Sequence, residues 1–265
     1  LTKVQTYWVL EYIEMTLIKK RSYTALINRL HKSLNHNAKI STIGHIKYSN
    51  TKYPFQKIIL GSHKSNRVLI SAGIHGDEPA GVEAICTFLE NKRFEDYLDK
   101  WEITILPCIN PYGFENNIRE NHETRDLNRL FKDQDPPLEV KLAKSIFSPS
   151  YFNITIELHE DCDSYGYYLF QKSNKRNGLQ IGFKIIEALK GVIPINSDEL
   201  IDDMPGDKGV IHRIKDIKQM DWWPMAGYSL SMKTGHCFTL ETPSKMAIAT
   251  RVKAHLIALE LVLMC

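Results

Sequence analysis

The sequence predicts an α/β fold: one domain over residues 1–265, built on a twisted, mostly parallel mixed sheet with helices on both faces. Three observations carry this. Short β-branched apolar runs alternate with stretches of helical spacing, the pattern of strand–helix–strand units. The chain has 265 residues and 43% apolar content, enough for a sizeable core. No linker, internal repeat or low-complexity tract divides it; Lys132–Pro137 is the most linker-like stretch and is short enough to be a surface loop.

In chain order, helical spacing occupies residues 3–34, and Ile58–Leu60 and Arg67–Ala72 read as buried strands. A helix starts near Glu78, where Pro79 suits the first turn and Ala80, Ala84, Ile85, Phe88 and Leu89 make an apolar face. Glu102–Ile109 is the next strand, Leu138–Phe147 a helix, and Asn153–Leu158 a strand. Tyr165–Phe170 alternates like a strand that packs through its aromatics, with Tyr165 a candidate to line a pocket. After the helix Leu179–Leu189, the acidic stretch 196–209 reads as a lid or specificity loop. His236–Leu240 is a late strand, and the last helix is expected to be capped by Thr242 with Pro243 at its first position. Parallel sheets place their sites beyond the strand carboxyl ends, where His75, Asn110, His159 and Glu241 all fall.

Composition excludes several function classes. The 34 basic and 31 acidic residues are spread without a basic stripe, which argues against nucleic acid. The densest basic run, Lys19-Lys20-Arg21, reads as a solvated helix end. Five widely spaced cysteines without a Cys-x-x-Cys pair suit a reducing compartment. The start Tyr7-Trp8-Val9-Leu10 is interrupted by Glu11 and Glu14, so it lacks a signal-peptide core, and a cytoplasmic location is expected. No run reaches the roughly 20 apolar residues of a membrane span, so no membrane association is expected.

His75-Gly76-Asp77-Glu78 places an imidazole and a carboxylate three residues apart after a strand. Catalytic zinc takes nitrogen and carboxylate oxygen from three protein ligands, so the pair calls for a third, for which His159 is the leading candidate. Further motifs follow in order: Asn110-Pro111-Tyr112-Gly113, Arg119-x-Asn121, Asp126-Leu127-Asn128-Arg129, Leu158-His159 and Phe238-Thr239-Leu240-Glu241-Thr242-Pro243.

Over residues 68–243 this series resembles the zinc metallocarboxypeptidase family, which includes carboxypeptidase A and the bacterial murein peptide amidases. The resemblance implies one zinc ion per chain on His75, Glu78 and His159, and Glu241 as general base. It implies that Arg119 polarises the scissile carbonyl and that Asn128 and Arg129 grip a terminal carboxylate. Asp126 would orient the imidazole of His75 from behind. For the family's flap tyrosine the nearest match is Tyr228. The reaction implied is hydrolysis of the amide bond beside a C-terminal residue with a free carboxylate, in a small peptide. The alternative is a zinc-dependent deacylase of N-acyl amino acids, similar to aspartoacylase and succinylglutamate desuccinylase; a third reading is a non-catalytic metal- and peptide-binding protein. The rival readings of single residues are structural: Glu241 as a helix cap, Asn128 and Arg129 as loop stabilisers, and Arg125, the competitor of Arg119, as the partner of a surface carboxylate.

Overall fold

The computed structural model describes residues 21–265 apart from 35, 37, 63–64, 149–150, 174–179 and 215. The helical spacing read before residue 21 lies outside the described residues. The elements are α1 (Tyr23–Ser33), β1 (Ala38–Tyr48), β2 (Thr51–Leu60), β3 (Arg67–Ala72), α2 (Pro79–Glu90), β4 (Glu102–Leu106), α3 (Pro111–Asn116), α4 (Leu138–Ser145), β5 (Ile154–Asp161), β6 (Tyr168–Ser173), α5 (Gln180–Leu189), β7 (Leu200–Ile201), β8 (Met204–Pro205), β9 (Val210–Ile211), α6 (Met225–Ser231), β10 (His236–Pro243) and α7 (Ile248–Met264).

Val68, Leu69 and Ile70 are all fully buried, so β3 is covered on both faces, as an inner parallel strand must be. The eight-stranded sheet runs β1-β2-β4-β3-β5-β10-β6-β9. Its centre, β4-β3-β5-β10, is parallel, while β2 and β6 pair antiparallel at either side of that block. The domain is therefore α/β with a mixed sheet, as the alternating pattern predicts. Leu158 and Leu240 are register partners on β5 and β10, and a Cβ on Gly81 of α2 would sit 2.7 Å from the Leu158 side chain. Helix α2 thus covers the face of Leu158 and Leu240, where it also packs on α7. His159 and Glu241 are the next register pair and point to the other face, on which α6 packs against β10 and β5. Fully buried Phe88, Phe94 and Phe238 anchor the core, each stabilising it by about 1.5–3 kcal/mol.

Several expectations are corrected. β2 starts at Thr51, not Ile58, and pairs in a long hairpin with β1, whose mixed burial hides any alternation. β4 ends at Leu106. Thr242 and Pro243 finish β10, and the last helix begins at Ile248 with Ala247 as its N-cap. The reason is that the Thr242 hydroxyl is engaged across the sheet, donating to the His159 carbonyl at 3.4 Å beside His255 Nε2 at 3.3 Å. The 196–209 stretch holds the small hairpin β7–β8. All five cysteines are free, and no described helix is long and apolar enough to cross a membrane.

Candidate active site

The loop after β3 is shaped by two glycines. Gly73 has φ +61°, the left-handed region that glycine occupies without strain. A Cβ on Gly76 would lie 1.9 Å from the Gly113 carbonyl carbon, so only glycine lets this loop rest on the Asn110–Gly113 turn. Asn110 accepts from Gly113 N at 2.8 Å as the N-cap of α3, and its Nδ2 donates to the carbonyls of Arg119 and Glu120 at 3.2 and 3.0 Å. Arg21 completes the support by donating to the Gly76 carbonyl at 2.8 Å. That overturns its reading as a solvated helix end: the guanidinium satisfies a carbonyl that the turn leaves without a ladder partner.

On this base, His75, Glu78 and His159 converge, all buried, with their ligand atoms within 4.8 Å of one another. His75 Nδ1 lies 2.6 Å from Glu78 Oε1, and His159 Nδ1 lies 2.9 Å from Glu78 Oε2. The inward Nδ1 atoms face the shared carboxylate, while each outward Nε2 faces another acid: Asp126 Oδ1 at 3.1 Å from His75, and Glu157 Oε2 at 3.9 Å from His159. Two imidazoles and one carboxylate, oriented from behind by acids, are the donor set and arrangement that a three-ligand zinc site uses, so the residues fit a divalent cation of that kind. Without a cation, burial works to raise the Glu78 pKa, but His159 and His75 override it and hold the carboxyl down at about 2. Burial opposes charge on His159, yet Glu78 and Glu157 carry its pKa well above the ordinary value. The two shifts describe one ion pair seen from each side.

Glu241 sits opposite His159 in the parallel register, half-buried at the pocket floor. Burial raises its pKa to about 8; His159 opposes that, and Glu78, Asp161 and Asp202 add to it. A carboxyl poised near neutrality beside a metal-ligand set is suited to proton transfer.

The short 3-10 turn Leu127–Arg129 carries the remaining expected groups. Asp126 caps it, accepting from Asn128 N at 2.9 Å, and binds Arg119 Nε and Nη2 at 3.2 and 3.1 Å through its other oxygen. Arg119 also reaches Glu78 Oε1 at 3.3 Å, so it lies against the ligand cluster. Asn128 is buried and its Oδ1 accepts from Met225 N at 2.9 Å, fixing the side chain at the pocket wall. The Arg129 guanidinium lies 4.1 Å over the Trp222 ring and pairs with no carboxylate among the described residues. Arg119, Asn128, Arg129 and Trp222 share one cavity of about 480 Å³ with His75, Glu78, His159 and Glu241.

Tyr228 is the expected site residue that the structure does not bring in. Ala226, Gly227 and Leu230 of α6 face the cavity, and the helical turn sends Tyr228 to the other side. There it meets Phe131 and Phe147 at ring distances of 6.0 and 5.4 Å, under the Lys144 ammonium. Arg125 pairs with Asp133 at 3.2 Å, as its surface reading expected. Tyr165 is 55% exposed and contacts Asp198 rather than the cavity. Sequence reading missed Glu157, Trp222 and the buried brace in which Glu160 accepts from Ala80 N at 2.6 Å and from Arg251. The signal for Glu157 was present, two residues before a ligand histidine on the same strand face.

Residues 64–200 match the family described as Succinylglutamate desuccinylase/Aspartoacylase catalytic domain. Carboxypeptidase 2 of Trichophyton rubrum is 32% identical over 108 residues; the match covers 37% of this chain, which spans 19% of that relative. Among solved structures, a metallopeptidase candidate from Shewanella baltica superposes with TM-score 0.75 at 23% identity, over 91% of this chain and 90% of the other. A metallo-carboxypeptidase from Burkholderia cenocepacia gives TM-score 0.67 at 16% identity, over 91% of this chain and 67% of the other. At these identities the superpositions establish the shared fold.

Proposed function

The chain belongs to the succinylglutamate desuccinylase/aspartoacylase catalytic-domain family, and from that membership and the site geometry we propose a zinc-dependent carboxypeptidase acting on small peptides. It hydrolyses the amide bond beside a terminal residue whose carboxylate is free. The observation that carries this reading is the placement of the Trp222-stacked Arg129, which pairs with no carboxylate among the described residues, in the same cavity as the His75–Glu78–His159 cluster and Glu241. An arginine fork is matched to a carboxylate, and exopeptidase selectivity needs such a grip beside the hydrolytic centre.

His75, Glu78 and His159 would hold the cation, one per chain, with Asp126 and Glu157 fixing the imidazoles. A divalent ion there supplies Lewis-acid polarisation of the carbonyl and makes water a usable nucleophile near neutrality. The residues do the rest. Arg129 and Asn128 fix the substrate carboxylate, which sets the scissile carbonyl over the cluster and removes much of the entropic barrier. Arg119, lying against Glu78, presents positive charge where negative charge develops on the carbonyl oxygen. Glu241 accepts the proton of the attacking water and returns it to the leaving amine, which then departs as the free amino acid.

Glu241→Gln tests the assignment: turnover falls by about 10²–10⁴-fold while zinc stoichiometry is retained. Intact turnover in that variant refutes the mechanism. A second reading, deacylation of N-acyl amino acids, is favoured by the family match over 64–200. It uses the same residues, because a peptide and an N-acyl amino acid present the same amide next to the same carboxylate. Comparing a dipeptide panel with N-acetylaspartate and N-succinylglutamate separates the two, and selective turnover of the acyl amino acids decides for the deacylase.

A further inference from the structure

Glu78 is the N-cap residue of α2, yet its side chain makes no capping hydrogen bond. A helix leaves its first N–H groups without intrahelical partners, and the side chain at the N-cap ordinarily accepts one of them. Here the two carboxylate oxygens of Glu78 face imidazoles instead, His75 Nδ1 at 2.6 Å and His159 Nδ1 at 2.9 Å. Pro79 has no N–H, so the first donor of the turn is Ala80 N. That donor goes to Glu160, whose Oε1 accepts from it at 2.6 Å, while the backbone N–H of Glu160 donates to Glu78 Oε2 at 3.1 Å.

Glu160 therefore grips the start of α2 at two points, once through its side chain and once through its main chain. It is also the residue directly after His159 on β5, and neighbours on a strand face opposite sides of the sheet. His159 turns to the ligand cluster and Glu160 to the two helices on the other face. From α7, Arg251 Nη1 donates to Glu160 Oε2, and Arg251 Nε is tied to the Met246 carbonyl at 2.9 Å. The Glu160 side chain is fully buried, so these contacts and not solvent set its position. A carboxylate there also meets the positive end of the α2 dipole. Two ligands that come from separate elements are thus joined by one residue, peptide-linked to His159 and hydrogen-bonded to Glu78.

We propose that Glu160 is a positioning residue for the cation site. By capping α2 in place of Glu78, it frees the Glu78 carboxylate for the cation and fixes the spacing between Glu78 and His159. Arg251 acts behind it, holding the Glu160 carboxylate on the first turn of the helix. The proposal rests on the three-ligand cation site proposed above.

The test is zinc affinity, measured by competition with a chelator, in two double variants. Glu160→Gln with Arg251→Met removes the buried ion pair and keeps an oxygen acceptor for Ala80 N. Glu160→Met with Arg251→Met removes the pair and the acceptor together. Replacing both members leaves no lone charge in the core, and melting curves confirm that the variants are folded. The expected result is that the Glu160→Met double variant binds zinc about 10–100-fold more weakly than wild type, while the Glu160→Gln double variant stays within about threefold. If the Glu160→Met double variant does not fold, Glu160→Asn with Arg251→Met takes its place, since an amide one carbon shorter falls short of Ala80 N, and the same loss is expected. Wild-type affinity in the folded variant without the acceptor overturns the proposal. An equal loss in the Glu160→Gln double variant also overturns it, because the cap is then not what the cation site depends on. If the wild type binds no zinc, the cation site itself fails, and the proposal with it.

Discussion

Glu157→Gln removes one negative charge behind His159 and keeps the side-chain volume. Glu157 is 2% exposed, its Oε2 lies 3.9 Å from His159 Nε2, and its Oε1 has no hydrogen-bond partner among the described residues. Ligation through Nδ1 leaves the His159 proton on Nε2, facing this carboxylate. Two unit charges at that separation in an effective dielectric of about 20 interact by roughly 4 kcal/mol. A neutral imidazole N–H carries only part of a charge, so the orienting contribution is about 1–3 kcal/mol, or about 10–100-fold in cation affinity. Zinc affinity measured by competition with a chelator should weaken by that factor, while cation-free Glu157→Gln melts at or above the wild-type temperature. The sign follows from the raised pKa of Glu157, which burial causes and His159 and His75 only partly offset. A carboxyl whose folded pKa lies above its unfolded one lowers stability as pH rises through that interval, so removing it relieves a penalty at neutral pH. A zinc affinity within twofold of wild type, in a variant with a native melting curve, refutes Glu157 as the group that orients His159.

Zinc uptake at pH 7 should release protons, because His159 is raised well above its ordinary pKa and Glu241 sits at about 8 without the cation. Apparent affinity therefore climbs with pH up to about 8, and titrations in buffers of different ionisation heat read the release; uptake without protons contradicts both assignments. Arg129→Ala should raise KM by about tenfold or more with a smaller effect on kcat, read on a C-terminal peptide series. Tyr228→Phe should leave kcat and KM at wild-type values, since the phenol lies outside the cavity; a large fall in kcat returns it to the mechanism. Arg251→Met should cost about 3–5 kcal/mol in urea unfolding, because it removes the cation from the fully buried Glu160 carboxylate and leaves it only the Ala80 N–H among its described partners.

What the sequence made legible follows from how local the signal is. His75, Glu78, His159 and Glu241 each follow a buried apolar run that declares its own strand, and a parallel sheet necessarily aligns the carboxyl ends of such strands. Their convergence is thus a consequence of fold class plus motif order. The placement of Tyr228 outside the cavity was not legible because it depends on helical phase, and a one-residue difference in where α6 starts turns that side chain by about 100°. Thr242 and Pro243 satisfy the local rules for a helix start, but the contact of Thr242 with the His159 carbonyl and His255 keeps the strand going. Arg21 contacts a loop 55 residues away, which no spacing rule reaches.

The same distinction separates the ligand cluster from the rest of the cavity. His159 and Glu241 lie on parallel strands, and His75 and Glu78 follow a third in its loop, so the order of those strands brings the cluster together. The cavity floor beyond Glu241 exists only because β6 lies antiparallel on the outer side of β10, in the register that sets Phe170 beside Thr239 and Lys172 beside Cys237. A slip of one residue would turn Phe170 and Lys172 to the opposite face and leave the cation cluster intact. The far floor of the cavity therefore rests on one strand pairing that the His75–Glu78–His159 cluster does not constrain.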